Sequence, residues 1–93
     1  MMLKEFFEKN DEILDLYTNA ITKAHGKNHP EIFEIRRIYQ AIQEKMSQNQ
    51  VDLVPEFRQI RLLTSDYAIP NDACPTLSKT YQLLEEFDIL SQK

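Results

Sequence analysis

The residues best suited to chemistry in this chain are its two histidines and its single cysteine, Cys74. His25 and His29 are four positions apart, a spacing that would place both on one face of a helix. Gly26 and Pro30 argue against that arrangement, because they predict a turn between the two imidazoles. Two histidines with one distant cysteine also fall short of a strong metal-ligand set. We therefore predict capping or turn packing for both histidines, with no metal site and no cofactor.

Cys74 has two interpretations. As a nucleophile it needs a histidine as its base, and such partners need only meet in space. As a structural residue it is a small apolar side chain between Ala73 and Pro75, since free cysteines are often buried. The sequence has no Gly-rich phosphate loop, no Walker motif and no Glu-x-x-His pair of the di-iron bundles. We favour the structural interpretation and predict that the chain is not an enzyme.

Four segments must position these residues, and each has apolar side chains every three or four positions, as one face of an α-helix does. The clearest segment is residues 30–48, with Pro30 suited to the first helical position. Its apolar face consists of Ile32, Ile35, Tyr39, Ile42 and Met46. The other predicted helices cover residues 3–24, 51–67 and 76–91. The apolar face of residues 3–24 consists of Leu3, Phe7, Leu14, Tyr17, Ile21 and Ala24. That of residues 51–67 consists of Leu53, Phe57, Ile60, Leu63 and Tyr67. That of residues 76–91 consists of Leu77, Tyr81, Leu84 and Phe87 or Asp88.

Short connections between these helices predict an all-α fold, an antiparallel up-down-up-down four-helix bundle forming one domain over residues 1–93. A three-helix bundle with an N-terminal arm is the alternative. Gly26, the only glycine, is expected to end the first helix in a left-handed conformation. Phe33 should widen the second apolar face, and Leu62 should lie beside the third. Four tyrosines are interpreted as core residues whose hydroxyls contact water, namely Tyr17, Tyr39, Tyr67 and Tyr81.

Composition and charge exclude several classes of function. The net charge of −4 and the pI of about 5.1 disfavour nonspecific nucleic-acid binding, which needs a basic face. No apolar run approaches the roughly 18 residues of a membrane span, and MMLKEFFEKN lacks the apolar core of a signal peptide. One cysteine allows no internal disulfide, as is usual in a reducing cytosol. We expect a cytoplasmic protein that neither spans a membrane nor binds nucleic acid.

The layout resembles the enterocin A-type immunity proteins, which protect producers of pediocin-like bacteriocins. The similar segments are ILDLYTNAI, HPEIFEIRRIYQAIQEKM, LVPEFRQIRLL and TLSKTYQLLEEF. They extend over nearly the whole chain and share helix lengths and apolar positions rather than a signature motif. The resemblance implies a cytosolic antiparallel four-helix bundle that acts on the complex between a bacteriocin and the mannose phosphotransferase permease. In that family, specificity is attributed to the C-terminal half, and some members carry a long C-terminal tail that is absent here.

A second resemblance is to the hemerythrin-like iron–sulfur cluster repair proteins. It is confined to two blocks, AHGKNHPE and IRLLTSDYAIPNDAC, which are locally more specific than the first pattern. The helical halves that carry the metal-binding His and Glu residues of that family have no counterpart here. This resemblance implies a metal-free remnant that serves as an interaction module.

A protein of either kind works through its surface, since buried stripes cannot meet a partner. We predict a partner-binding region in the loop at residues 70–75 and on the exposed face of the last helix. Its residues are Asn71, Asp72, Lys79, Gln82, Glu85 and Glu86. A second, basic surface is expected from Arg36, Arg37, Arg58 and Arg61, and an acidic patch from Glu85, Glu86 and Asp88. Simple solvation is the alternative interpretation of all these charges.

Overall fold

The computed structural model describes residues 2–92 and contains four α-helices. These are α1 (Met2–His25), α2 (Glu31–Ser47), α3 (Val54–Thr64) and α4 (Pro75–Ser91). No β-strand occurs within residues 2–92, so the predicted all-α class is confirmed. No helix in this range is long and apolar enough to cross a lipid bilayer.

The core is made by the apolar stripes that the sequence predicts. All five residues of the predicted α2 stripe are buried, and Ile38 joins them. From the other helices the buried apolar residues are Leu3, Leu14, Ile21, Phe57, Ile60, Leu77, Tyr81, Leu83, Leu84 and Phe87, with Leu53 and Tyr67 from the connections. Burying each large apolar side chain contributes about 1.5–3 kcal/mol, so this shared core is the main reason that the four helices stay together.

Three expectations about the stripes are wrong, the first being Ala24 at the end of α1, which is exposed. Phe33 is 55% exposed and Leu62 is 77% exposed, so neither widens the core. Phe33 follows the buried Ile32, and Leu62 comes two positions after the buried Ile60, so a rotation of 100° per residue turns both side chains away from the core. Hydrophobicity alone therefore overestimated the width of the buried face at these two positions.

Phe87 connects three of the helices. Its ring centroid lies 5.4 Å from that of Phe6, 6.1 Å from that of Phe7 and 5.3 Å from that of Phe57. The ring pairs are tilted or edge-on, the geometries in which aromatic quadrupoles attract. α1 also packs against α2, and α2 packs against α3. Phe87 therefore fixes α4 against α1 and α3 together.

A row of polar contacts joins α1 to α2 beside the core. Arg36 Nη1 donates to Asp15 Oδ1 at 3.0 Å and to the hydroxyl of Thr18 at 2.9 Å. The Tyr39 hydroxyl donates to Asp11 Oδ1 at 2.6 Å. Gln43 Nε2 donates to the carboxylates of Asp11 and Asp15. The hydrogen bonds from Gln43 and Arg36 hold the pKa of Asp15 below its usual value. These contacts set the register of the two helices.

The turn between α1 and α2 needs a glycine for a reason other than the predicted one. Gly26 does not adopt a positive φ angle, so the expected left-handed cap is wrong. Its amide donates to the Thr22 carbonyl at 3.1 Å, and the ring of Phe33 lies directly against its Cα. A Cβ atom on Gly26 would overlap both the Phe33 ring and the Thr22 carbonyl oxygen. The glycine is therefore required by close packing.

The left-handed conformation occurs instead after α3. Ser65, Asp66 and Tyr67 have φ angles of 52°, 61° and 65°. α3 consequently ends at Thr64 and not at Tyr67, as the sequence had suggested, and it starts at Val54 and not at residue 51. The reversal turns Tyr67 back into the core, where it is buried, and its amide donates to the Thr64 hydroxyl at 2.8 Å.

Candidate functional site

The chemically active residues meet at one end of the molecule, where the α1–α2 turn approaches the connection between α3 and α4. His29 lies in the turn with each ring nitrogen against a carboxylate. Nδ1 is 3.2 Å from Glu31 Oε2, and Nε2 is 2.9 Å from Asp72 Oδ1 and 3.1 Å from Asp72 Oδ2. Asp72 raises the pKa of His29, with a smaller contribution from Glu31, while His29 lowers the pKa of Asp72. The protonated imidazole can donate to both carboxylates at once.

Cys74 forms a second contact across the same gap. His25 Nε2 lies 3.1 Å from Cys74 Sγ, and the sulfur also accepts a hydrogen bond from the Leu77 amide at 3.4 Å. Cys74 is thereby the N-cap of α4. The apolar, structural role that we favoured for Cys74 is confirmed in part, because its half-buried side chain packs against the core. Its thiol also makes two polar contacts, which the sequence did not predict. The role of α4 in placing this thiol was missed, since sulfur is a rare capping atom.

The Cys74–His25 pair has two of the three parts of a nucleophilic triad. Sulfur and ring nitrogen are close enough to share a proton. Within residues 2–92, however, no hydrogen bond orients the other nitrogen of His25, and catalytic triads depend on such a third group. The arrangement can position a thiol, but the third part of a triad is not among its contacts.

His25 and His29 flank the turn as predicted, with ring centroids 6.4 Å apart and planes at 55°. His25 is the last residue of α1, whereas His29 precedes α2, so they do not share a helix face. Within residues 2–92, no group of three or more His, Cys, Asp and Glu side chains has a geometry that could hold a metal ion.

A small cavity of about 220 Å³ opens beside His29. Leu63, Ile69 and Pro70 supply its apolar wall, and Glu31 and Tyr81 also line it. Burial, with Glu31 as a second cause, raises the pKa of Tyr81 to about 12. His29 from the α1–α2 turn, Glu31 from α2 and Tyr81 from α4 therefore form the polar side of the cavity.

The six predicted partner-binding residues are all exposed: Asn71, Asp72, Lys79, Gln82, Glu85 and Glu86. Lys79, Gln82 and Glu86 share one face of α4 by their spacing. Lys79 and Glu86 also line a groove of about 400 Å³ between α1 and α4, whose apolar floor includes Phe6 and Leu83. Asp72 differs from the other five because His29 binds its carboxylate.

The predicted basic surface is not continuous. Arg36 reaches across to Asp15 and Thr18 and is only 19% exposed, and Arg61 binds Asp88 with both N–O distances at 2.7 Å. Only Arg37 and Arg58 of the four arginines are exposed. Helical periodicity gave the side of the helix correctly for Arg36 and Arg61, but a long side chain can bend towards a carboxylate on another helix.

The predicted acidic patch loses one member for the same reason. Asp88 is 3% exposed, and its carboxylate accepts hydrogen bonds from Arg61, Tyr67 and Gln92. Glu85 and Glu86 remain exposed.

The prediction that the tyrosine hydroxyls contact water is wrong for Tyr39 and Tyr67. Both hydroxyls donate to protein carboxylates, and burial raises the pKa of both phenols. Tyr17 is only partly buried, so it is a weaker core residue than predicted.

No family model, no curated protein and no solved structure matches this chain. The two resemblances described for the sequence therefore remain predictions. The function has to be argued from the positions of the residues themselves.

Proposed function

We propose that this chain is a bacteriocin immunity protein of the enterocin A type, which acts in the cytoplasm by contact with other proteins. The observation that carries the proposal is the position of the four helices. Each of the four segments that carry the resemblance coincides mainly with one helix, and the longest, HPEIFEIRRIYQAIQEKM, covers nearly all of α2. The proposed partner is the bacteriocin-bound mannose phosphotransferase permease, and nucleic acid is not a partner.

The proposal includes a single-domain antiparallel up-down-up-down bundle over residues 1–93. The contacts between consecutive helices support this direction. Asp11, early in α1, contacts Gln43, late in α2, whereas Asp15 contacts Arg36. Lys45 at the end of α2 likewise forms an ion pair with Glu56 at the start of α3, with an N–O distance of 3.0 Å. Pairs that run in opposite order along two helices are typical of antiparallel neighbours.

The proposed contact surface is the loop with Asn71 and Asp72 together with the outer face of α4. Support comes from exposure and from shape, because the α4 face borders the groove between α1 and α4. Lys79 and Glu86 place opposite charges at this groove, an arrangement that favours orientation-specific contact with a polar partner.

The test is protection of a sensitive cell. The full chain is expressed in a strain that is killed by pediocin-like bacteriocins, and survival is measured against a panel of them. We expect protection against at least one bacteriocin, and we expect the double variant Lys79→Glu with Glu86→Lys to lose it. Lys23→Glu, an exposed charge change on α1, is the matched control and should keep protection. Killing by the whole panel, despite folded protein and an intact permease, would contradict the proposal.

The second candidate is a metal-free remnant of a hemerythrin-like repair domain that serves as an interaction module. One observation favours it: the two blocks that carry this resemblance contact each other. His25 and His29 belong to the first block, and their partners Cys74 and Asp72 belong to the second. The protection assay separates the candidates, because a metal-free remnant is expected to protect against no pediocin-like bacteriocin. Iron titration of the purified chain is a second measurement, since stoichiometric tight binding of iron would favour hemerythrin-like ancestry but contradict both the metal-free remnant and the immunity proposal.

A further inference from the structure

His29 connects two segments that are otherwise far apart in the chain. It lies in the turn after α1, while Asp72 lies in the connection between α3 and α4, 43 positions later. Neither of these segments belongs to a helix at the point of contact. The contact therefore links the loop to the rest of the molecule through side chains at the surface.

The geometry of this contact depends on the protonation state of the imidazole. Both ring nitrogens of His29 lie within hydrogen-bond distance of carboxylates, Glu31 on one side and Asp72 on the other. A carboxylate can only accept, so each nitrogen must carry a proton if both bonds are to form. A neutral imidazole has one N–H, so it keeps at most one of the two bonds, and that bond lacks the positive charge that strengthens it.

We propose that His29 and Asp72 form a pH-sensitive latch, which holds residues 71–73 against the α1–α2 turn while His29 is protonated and loosens its hold on them when His29 becomes neutral. The contact between His25 and Cys74 and the burial of Leu77 and Tyr81 hold the start of α4 in place, so the release is confined to the loop before Cys74.

The groups that face His29 favour its charged form. Glu31 from α2 and Asp72 from the loop are both carboxylates. The ring of His25 at the end of α1 is a basic group that lies 6.4 Å away between centroids. Tyr81 from α4 lines the adjoining cavity as a neutral phenol, and from α3 the lining residues do not titrate. Two carboxylates in direct contact outweigh one more distant imidazole.

The sign of the pH dependence follows from both partners. Asp72 raises the pKa of His29 above its ordinary value near 6.5, so the latch is fully formed below that pH and is lost as the pH rises through the raised pKa. His29 lowers the pKa of Asp72 from its ordinary value of about 3.8, so acid opens the latch only below that pH. The latch is therefore closed in mildly acidic solution and opens when the pH rises above the raised pKa of His29.

The test is an NMR titration of the full chain. Assigned ring resonances give the pKa of His29 separately from the ring of His25, and backbone nitrogen relaxation gives the order parameters of residues 71–73. We expect a pKa above the ordinary value, and order parameters that fall as the pH rises through it. In Asp72→Asn the pKa of His29 should move down, and in His29→Gln the loop should be mobile at every pH.

Asp66→Asn is the matched control, because it removes an exposed carboxylate from the same connection and should leave both the pKa of His29 and the loop unchanged. Order parameters that stay constant across the titration of His29 would overturn the latch, as would a pKa at or below the ordinary value. Asp72→Asn keeps the test decisive if His29→Gln does not fold.

The latch deepens the proposed function at one point. Asp72 is one of the proposed partner-binding residues, and its carboxylate is occupied while the latch is closed. Release would therefore free it for a partner, a step that rests on the proposed function. The NMR measurements do not depend on the proposed function. A latch in a protein that gives no protection and protection by a protein without a latch are therefore distinguishable results.

Discussion

The hydroxyl of Tyr67 donates a hydrogen bond to Oδ2 of Asp88 at a distance of 2.8 Å. Tyr67 follows α3, and Asp88 lies near the end of α4. The same carboxylate also binds Arg61 of α3, so a single buried acidic residue joins two segments of the chain to α4. Because Asp88 is only 3% exposed, every donor that it loses leaves part of its charge without compensation.

Removing the Tyr67 hydroxyl tests this relationship. Tyr67→Phe keeps the ring in the core and deletes one donor to a buried carboxylate, so we expect a loss of about 1–3 kcal/mol in the free energy of unfolding. Tyr17→Phe is the control, since Tyr17 is only partly buried and its hydroxyl has no partner within residues 2–92. Urea unfolding of both variants is the measurement. Equal losses would show that the Asp88 contact adds nothing.

Replacing the arginine partner should cost more. Arg61→Met leaves the apolar stem but removes the charge that faces Asp88, and we expect a loss of roughly 2–4 kcal/mol, less than for a fully buried pair because Arg61 is one-third exposed. Arg37→Met breaks an exposed ion pair with Glu34 and should change stability by less than about 1 kcal/mol. Comparable unfolding midpoints for the two variants would contradict the difference in burial.

Truncation of the core should be costly at three positions. Ile35, Ile42 and Phe57 are each no more than 1% exposed, and replacement by Ala should cost about 2–5 kcal/mol through lost burial and an unfilled cavity. Leu62→Ala removes the same kind of group from an exposed position and should cost less than about 0.5 kcal/mol. Thermal melts give the comparison. Wild-type melts for all three core variants would mean that the core is misplaced.

The left-handed segment offers a route to stabilisation. Ser65 caps α3 at φ 52° and ψ 53°, a conformation that is strained for a residue with a Cβ atom. Ser65→Gly should therefore raise the free energy of unfolding by about 0.5–1 kcal/mol. Ser78→Gly, the same change inside α4, should lower it by a similar amount. If both substitutions shift the melting temperature in one direction, backbone strain at Ser65 is not the cause.

Alkaline solution should destabilise the fold through its buried phenols. Burial and a neighbouring carboxylate raise the pKa of Tyr39 and of Tyr67 far above the ordinary value. Above about pH 10 the unfolded chain loses phenolic protons that the folded chain retains, so the free energy of unfolding falls as pH rises. Tyr39→Phe should make this fall less steep, whereas Leu62→Ala, which removes no titratable group, should leave the slope unchanged. Urea unfolding at several pH values, monitored by circular dichroism, gives the slopes.

Much of the fold could be predicted from the sequence, because burial follows the helical period. The stripe from Ile32 to Met46 was predicted residue by residue, since every third or fourth position must face the same side. The end of α3 could not be predicted in this way. Tyr67 has the correct spacing for the stripe and is buried, but it reaches the core through a left-handed reversal that the apolar pattern does not encode.

The candidate site was harder to predict, because its contacts join distant positions. Cys74 is 49 positions from His25, and no periodic pattern relates the two. The sequence did identify both residues by type, and it placed the histidines at a turn. It could not give the distance from sulfur to nitrogen, which depends on how α4 begins relative to the end of α1. Arg61 and Asp88 illustrate the same limit for an ion pair between helices.

The contact of Phe6 with Phe87 also bears on the order in which the chain assembles. These rings meet across 81 positions (87 minus 6), whereas Asp15 and Arg36 meet across 21. Closing the longer loop costs more chain entropy, and contacts of high sequence separation slow folding. The pair of helices before residue 48 can therefore form first as a local unit. We therefore expect α4 to dock late, after the first two helices have packed together.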